Sequence, residues 1–395
     1  MIRNRLSLSV AASLLSVSLG CAPGFVPEAN IDAPPSKDSA TLHAPTELPQ
    51  GPKARLRATI RHVRDRQLLT TNGFWTVLHG ILGLGPNVEL HDPETGKVVN
   101  ALDYICNGGE IRGLRFVPTK DGLDVQIGPM GIGQGHQDQF IAEMAQWSMP
   151  LDRKFYVYGK EYSFKDFVQH CKMRASVQAD QELSWALVVL SQYLGTDIAW
   201  INSAGEQISF EDILRYELQA SIDQAACGGT HRLFGITWAY HWHRKRGGKV
   251  TGVWKDAEAK IAHYVDLARK YQNPDGSFST DYFRGRGHAE NIETRISTTG
   301  HMLEWLALAL PDDEIKKPWV QEAANALALM ILQMQDSPIE GGSLYHAMHG
   351  LLMYYARVYG SDELIPKELL IPRYDLANFQ PPPLSIPAPR PRSKS

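Results

Sequence analysis

The sequence predicts an all-α fold, an (α/α)6 toroid of six helical hairpins with small β-hairpins in the connecting loops. Two helix types alternate along the chain. One is amphipathic, with a single apolar stripe as on a helix exposed along one side; the other is apolar nearly all round, as a helix enclosed by neighbours must be. A short unit of strand, glycine turn, strand and capped helix also recurs three times.

The clearest amphipathic segment runs through Trp254, Ala257, Ile261, Tyr264, Leu267, Ala268 and Tyr271, with Lys255, Asp256, Glu258, Lys260 and Asp266 between them. Val320, Ala323, Ala324, Leu327, Ile331 and Met334 repeat the spacing, and Leu56, Ile60 and Val63 begin a strongly basic example. The enclosed type is predicted at 74–84, 140–147, 183–194, 233–242, 302–310 and 344–359. Six alternations suit inner helices running parallel around one axis, whereas a stacked solenoid would leave polar faces on both layers. The repeated units start at Val88, Tyr156 and Trp200, each with a glycine in its turn. Asn100-x-x-Asp103, Ser163-x-x-Asp166 and Ser209-x-x-Asp212 then set a capping side chain three residues before a carboxylate.

The 395 residues are 43% hydrophobic and 21% charged, which allows a sizeable core. A formal charge of −3 gives no electrostatic footprint for nucleic acid. Residues 1–20 pair Arg3 and Arg5 with an apolar run, as an export signal requires. Val17-Ser-Leu-Gly-Cys21 resembles the lipobox of bacterial lipoproteins, which implies lipidation at Cys21, a membrane as partner and residence in the cell envelope. Residues 21–52 and 379–395 are rich in proline and read as a tether and a tail around a toroid at 53–378. Apart from Cys21, three widely spaced cysteines imply no disulfide framework.

Gln272-Asn-Pro-Asp275-Gly276-Ser-Phe278, with a weaker echo at Gln335-Asp336 and Gly341-Gly342, resembles the repeat signature of squalene cyclases and prenyltransferases. In that superfamily of α/α toroids, Gln, Asp-Gly and an aromatic staple one hairpin to the next. The resemblance implies the fold rather than an activity. Prenyltransferases there use a Cys/His/Asp zinc centre, which brings zinc into consideration at Cys227, His231 and His301. Ala225 stands where their aspartate would, however, and no metal ligands are assigned. Asp-x-Asp-Asp, the acid motif of terpene cyclisation, does not occur. Gly229 and Thr230 stand where the thioester toroids carry Glu-Gln after Cys-Gly.

The chemistry-bearing residues cluster where enclosed helices begin. Parallel inner helices would gather these clusters, together with six positive helix ends carrying free N–H groups, at one mouth. His231, His301 and His136 are expected as acid–base groups with Glu182 or Asp138 as carboxylate partner, and His79, Arg232, Glu304, Tyr345 and His346 as ligand contacts. A glycan or another small ligand with hydroxyls or carboxylates fits such a cleft. A non-catalytic docking toroid and isoprenoid chemistry are the alternatives.

Overall fold

The computed structural model describes residues 48–372 except 129–132 and 335–336, so the expected export signal, Cys21, most of the expected tether, Gln335-Asp336 and the proline-rich residues 379–395 lie outside the described residues. The fold is mostly α. Twelve α-helices occur among the described residues, with a few short strand pairs. The odd-numbered helices are α1 (Pro52–Asp65), α3 (Ala101–Cys106), α5 (Phe164–Arg174), α7 (Phe210–Gln219), α9 (Val253–Tyr271) and α11 (Pro318–Gln333). The even-numbered ones are α2 (Phe74–Leu84), α4 (Gln139–Ala145), α6 (Ser184–Tyr193), α8 (Thr230–Lys245), α10 (Ile292–Ala309) and α12 (Gly341–Tyr359).

The expected alternation is present. On α7 only Phe210, Ile213, Leu214 and Glu217 are buried, whereas all seven residues of α4 are. Among the longer odd-numbered helices α11 is the most enclosed, because α1, α10 and α12 all pack on it. Helix α10 starts ten residues before the apolar segment expected at 302–310. Its first turns are polar and partly exposed, so the Asn291 side chain, which accepts from Thr294 N–H at 2.9 Å, marks the start instead.

All three expected caps form. Asn100 accepts from Asp103 N–H at 2.8 Å, and Ser163/Asp166 and Ser209/Asp212 make reciprocal capping boxes. Each follows an antiparallel pair: Glu89–His91 with Val98–Asn100, Lys154–Val157 with Lys160–Ser163, and Ala199–Ile201 with Gln207–Ser209. A fourth pair, Phe116–Thr119 with Gly122–Val125, was not expected. Its signal is the Asp121-Gly122 turn between alternating residues.

The even-numbered helices pack in an unbroken cycle. Helix α2 touches α4, α4 touches α6, and the series continues through α8, α10 and α12 back to α2. Helix α1 ties the two ends together. Arg57 pairs with Asp362 and Glu363, and Arg66 donates to the Met334 carbonyl at 2.9 Å.

Glycines set how closely these helices approach. A Cβ on Gly235 of α8 would lie 2.2 Å from the Ser184 carbonyl oxygen of α6, and one on Gly300 of α10 would lie 2.7 Å from the Ala347 Cα of α12. The obstacle at Gly235 is backbone, which cannot swing aside. Gly235→Ala should therefore cost about 1–3 kcal/mol, typical of overpacking, and lower Tm by several degrees. Gly285→Ala, which meets nothing within 4 Å, should leave Tm unchanged; equal melting of the two variants would refute the close approach of α6 and α8.

Candidate functional site

Four imidazoles from the even-numbered helices α2, α8, α10 and α12 meet a fifth, His136, from the loop that leads into α4. Ring centroids of His136 and His231 are 5.1 Å apart, those of His231 and His301 5.2 Å, those of His301 and His346 4.2 Å, and those of His346 and His79 5.1 Å. Helix α6 contributes Trp185, 4.9 Å from the His231 ring. Thus His79, His136, His231, His301 and His346 share one centre.

The carboxylates stand behind the rings. Glu182 accepts from His136 Nδ1 at 2.9 Å. Burial pushes its carboxyl up, but the charge and hydrogen bond of His136 outweigh that and hold it below the usual range. Glu304 joins two rings of α12, accepting from His346 Nδ1 at 2.8 Å and from His349 Nδ1 at 2.7 Å. Burial raises Glu304 as well, yet its two histidine partners win and keep it well below the ordinary carboxylate range.

Tautomers follow from these partners. A carbonyl oxygen can only accept, so His79 Nδ1 donates to Trp75 O at 2.8 Å and His301 Nδ1 to Ser297 O at 2.7 Å. Each neutral ring then carries its lone pair on Nε2. His231 differs, since both its nitrogens are buried without a hydrogen-bond partner.

Sequence reasoning missed Glu143. It is wholly buried on α4, with Oε1 taking a 2.8 Å bond from Gln139 and Oε2 unpartnered. Burial pushes this carboxyl up to about 8. Although its Oε1 lies 3.8 Å from His79 Nε2, this is no ion pair, because burial also drives His79 well below its normal value and leaves the ring neutral. A lone acid inside the apolar run Phe140–Trp147 was the available signal.

Three expected site residues are engaged elsewhere. Asp138 precedes α4 in the left-handed region and pairs with Arg174 of α5. Arg232 donates to Glu217 at 2.7 Å and to the Ser221 carbonyl at 2.6 Å, which ties α8 to α7. Tyr345 packs against α2, where a Cβ on Gly83 would lie 2.8 Å from the Tyr345 Cβ, and burial raises its phenol to about 12. These side chains hold the scaffold.

Of the helix starts expected to be free, side chains fill those of α4, α6, α10 and α12, with Gln134 Oε1 taking Phe140 N–H at 3.0 Å on α4, whereas α2 and α8 have no side-chain cap. Glu340 accepts from Gly342 and Ser343 N–H at 2.8 Å, and Glu217 takes Leu183 N–H at 2.7 Å. Gln139 Oε1 takes the N–H groups of Gly135 and His136, both at 3.1 Å. At α4, α6, α10 and α12 the chain's own side chains thus use donors an anion would need.

The zinc group implied by the prenyltransferase resemblance is matched only in part. Donor atoms of Cys227, His231 and His301 lie within 4.8 Å of one another, but the position of the family's acid is Ala225. Cys227, Gly228 and Gly229 all have positive φ, 48°, 62° and 86°. In the left-handed region a non-glycine residue such as Cys227 costs about 1–3 kcal/mol, so its surroundings must hold it there. At the end of α9, Gln272 Nε2 donates to the Gly276 and Trp319 carbonyls at 2.8 and 2.7 Å, which ties α9 to α11.

Compared with known family models, curated proteins and solved structures, the chain finds no match in any of the three.

Burial makes the centre sensitive to acid. His301 is pushed down to about 3 by burial and then by His346, and His231 and His79 move the same way. A depressed histidine contributes stability that is complete above its unfolded value near 6.5 and lost as pH falls through the folded value. Glu143 is raised instead, so its contribution is complete below 4.5 and lost as pH rises through about 8. Three histidines outweigh one acid where the windows overlap. Urea midpoints should peak near neutrality and fall towards pH 4, by about 1.4 kcal/mol per pH unit for each proton taken up. A flat profile from pH 6.5 to 4 would show that these rings are not buried as neutral groups.

Proposed function

We propose that this chain is an exported cell-envelope protein, lipid-anchored at Cys21, whose helices close into an (α/α)6 toroid around a ligand site built on the imidazole–carboxylate centre. The unbroken cycle of even-numbered helices supports the closure. Within the site, His136 with Glu182 is the acid–base pair, and the ligand is carbohydrate-like. No helix among the described residues is long and apolar enough to cross a membrane, which leaves the N-terminal lipid as the proposed attachment.

One observation carries the choice of pair. Among the centre's imidazole–carboxylate contacts, His136–Glu182 is the most open, with side chains 12% and 21% exposed, whereas those of His346, His349 and Glu304 are 6% exposed or less. A ligand arriving from solvent therefore reaches His136 first. Glu182 on Nδ1 fixes the tautomer and leaves Nε2 as the base, the arrangement general acid–base catalysis needs. Trp185, whose ring is 6.0 Å from His136, offers an apolar face for a sugar. Five clustered imidazoles give no support to an isoprenoid cavity. A second reading, a non-catalytic docking toroid, draws on the exposed Val98, Tyr156, Tyr158 and Ile201 of the hairpins.

Thermal-shift screening against cell-wall and extracellular oligosaccharides tests the leading reading. A ligand at a hundred times its Kd should stabilise by about 2.7 kcal/mol. His136→Ala should lower turnover of that ligand about 10²–10⁴-fold, with Tm within a few degrees of the parent. Full activity in His136→Ala, or no response to any glycan, would leave the docking reading in its place.

A further inference from the structure

Beneath the His136–Glu182 rim lie His79 on α2, Glu143 on α4 and His346 on α12, which the acid–base pair does not use. We propose that these three side chains hold one divalent transition-metal ion of the zinc class. The inference rests on reading this centre as a ligand site, but not on which ligand enters it.

One donor atom from each residue lies within 4.8 Å of the other two. His79 Nε2 and Glu143 Oε1 are 3.8 Å apart. Tetrahedral bonds of about 2.0–2.1 Å would set donors roughly 3.3–3.4 Å apart, a contraction that small side-chain rotations supply.

The far side of each ring is already arranged. Ligating imidazoles donate their other N–H to a carbonyl or carboxylate, which fixes the tautomer and makes the ligand more basic. His79 does so to Trp75 O and His346 to Glu304, both at 2.8 Å. The carboxylate gives the independent sign. Glu143 is 0% exposed and Oε2 is buried with no partner, while Gln139 Nε2 bridges Glu143 Oε1 at 2.8 Å and His79 Nε2 at 3.2 Å, the place a cation would take from that amide. An orphaned buried oxygen is costly, and a cation bound beside it removes that cost.

Two imidazoles and one carboxylate also match the donor set of catalytic zinc sites, which keep a position open for water or substrate. The neighbouring Cys227, His231 and His301 are the rival set. There the His231 ring has neither nitrogen partnered and so lacks the fixed tautomer of a ligand, which favours the carboxylate-bearing set.

The test uses the purified full chain, stripped with chelator and titrated with Zn²⁺ and, separately, Co²⁺. The wild type should bind one equivalent. Glu143→Gln, close in shape, and His79→Ala should weaken binding by more than the roughly 10–100-fold expected of an outer-shell change such as Glu304→Gln. Cys227→Ser should bind as the wild type does, and bound Co²⁺ should show visible d–d bands without a thiolate charge-transfer band. Absence of binding, equal binding by Glu143→Gln and wild type, or a thiolate band lost in Cys227→Ser would each overturn the assignment. Circular dichroism of each variant separates lost binding from lost fold. Metal retained by a His136→Ala variant that no longer turns over glycan keeps the two readings distinguishable, as does a metal-free wild type that still binds sugar.

Discussion

The centre of this protein depends on one buried carboxylate shared by two rings. Glu304 of α10 sits between His346 and His349 of α12, and the approach that permits it is set by glycine. A Cβ on Gly350 would lie 2.8 Å from the Glu304 backbone nitrogen, and one on Gly300 would press on Ala347. With any larger residue there, the two helices would stand too far apart for one carboxylate to reach both imidazoles. Removing a partner from a buried charged group typically costs about 3–5 kcal/mol, so the contact constrains helix spacing as strongly as the surrounding apolar packing does. His346 carries the constraint onward, since its ring lies against those of His301, His231 and His79.

Much of this was legible in sequence, because the signals concerned were local. A capping serine or asparagine and a carboxylate three residues on act within one turn of chain, and all three such pairs form as expected. The alternation of apolar-stripe and all-apolar segments likewise depends only on how much of each helix must be covered. The histidines could be named because each stands in or beside an all-apolar segment, although His79 and His301 lie near the middle of α2 and α10 rather than at their starts.

Direction around the helix axis was not legible. Arg232 and Tyr345 stand next to His231 and His346 on their helices, yet a step of one residue turns a side chain by about 100° and points it at a different neighbour, and Asp138, two residues past His136, lies in the turn before α4. Asp138 meets Arg174, Arg232 meets Glu217, and Tyr345 meets α2. Glu143 was hidden for the converse reason. A single acid in an apolar helix looks like an interruption until Gln139, four residues back on the same face, and the His79 ring of another helix are set beside it.

The filled helix starts change what the centre attracts. Six converging helix N-termini with free N–H groups would form a positive field suited to an anion. Gln134, Glu217, Asn291 and Glu340 take up donors at four of those starts with oxygens of the chain itself. What faces inward is then chiefly neutral imidazole held below its normal basicity by burial, together with the carboxylates Glu182 and Glu304 and the unpartnered oxygen of Glu143. Lone pairs and carboxylate oxygens accept and coordinate; they do not complement negative charge. The groups that best answer such a lining are hydroxyl donors and metal cations, and on this electrostatic ground the acid–base pair at the rim and the His79–Glu143–His346 set below it belong to one centre.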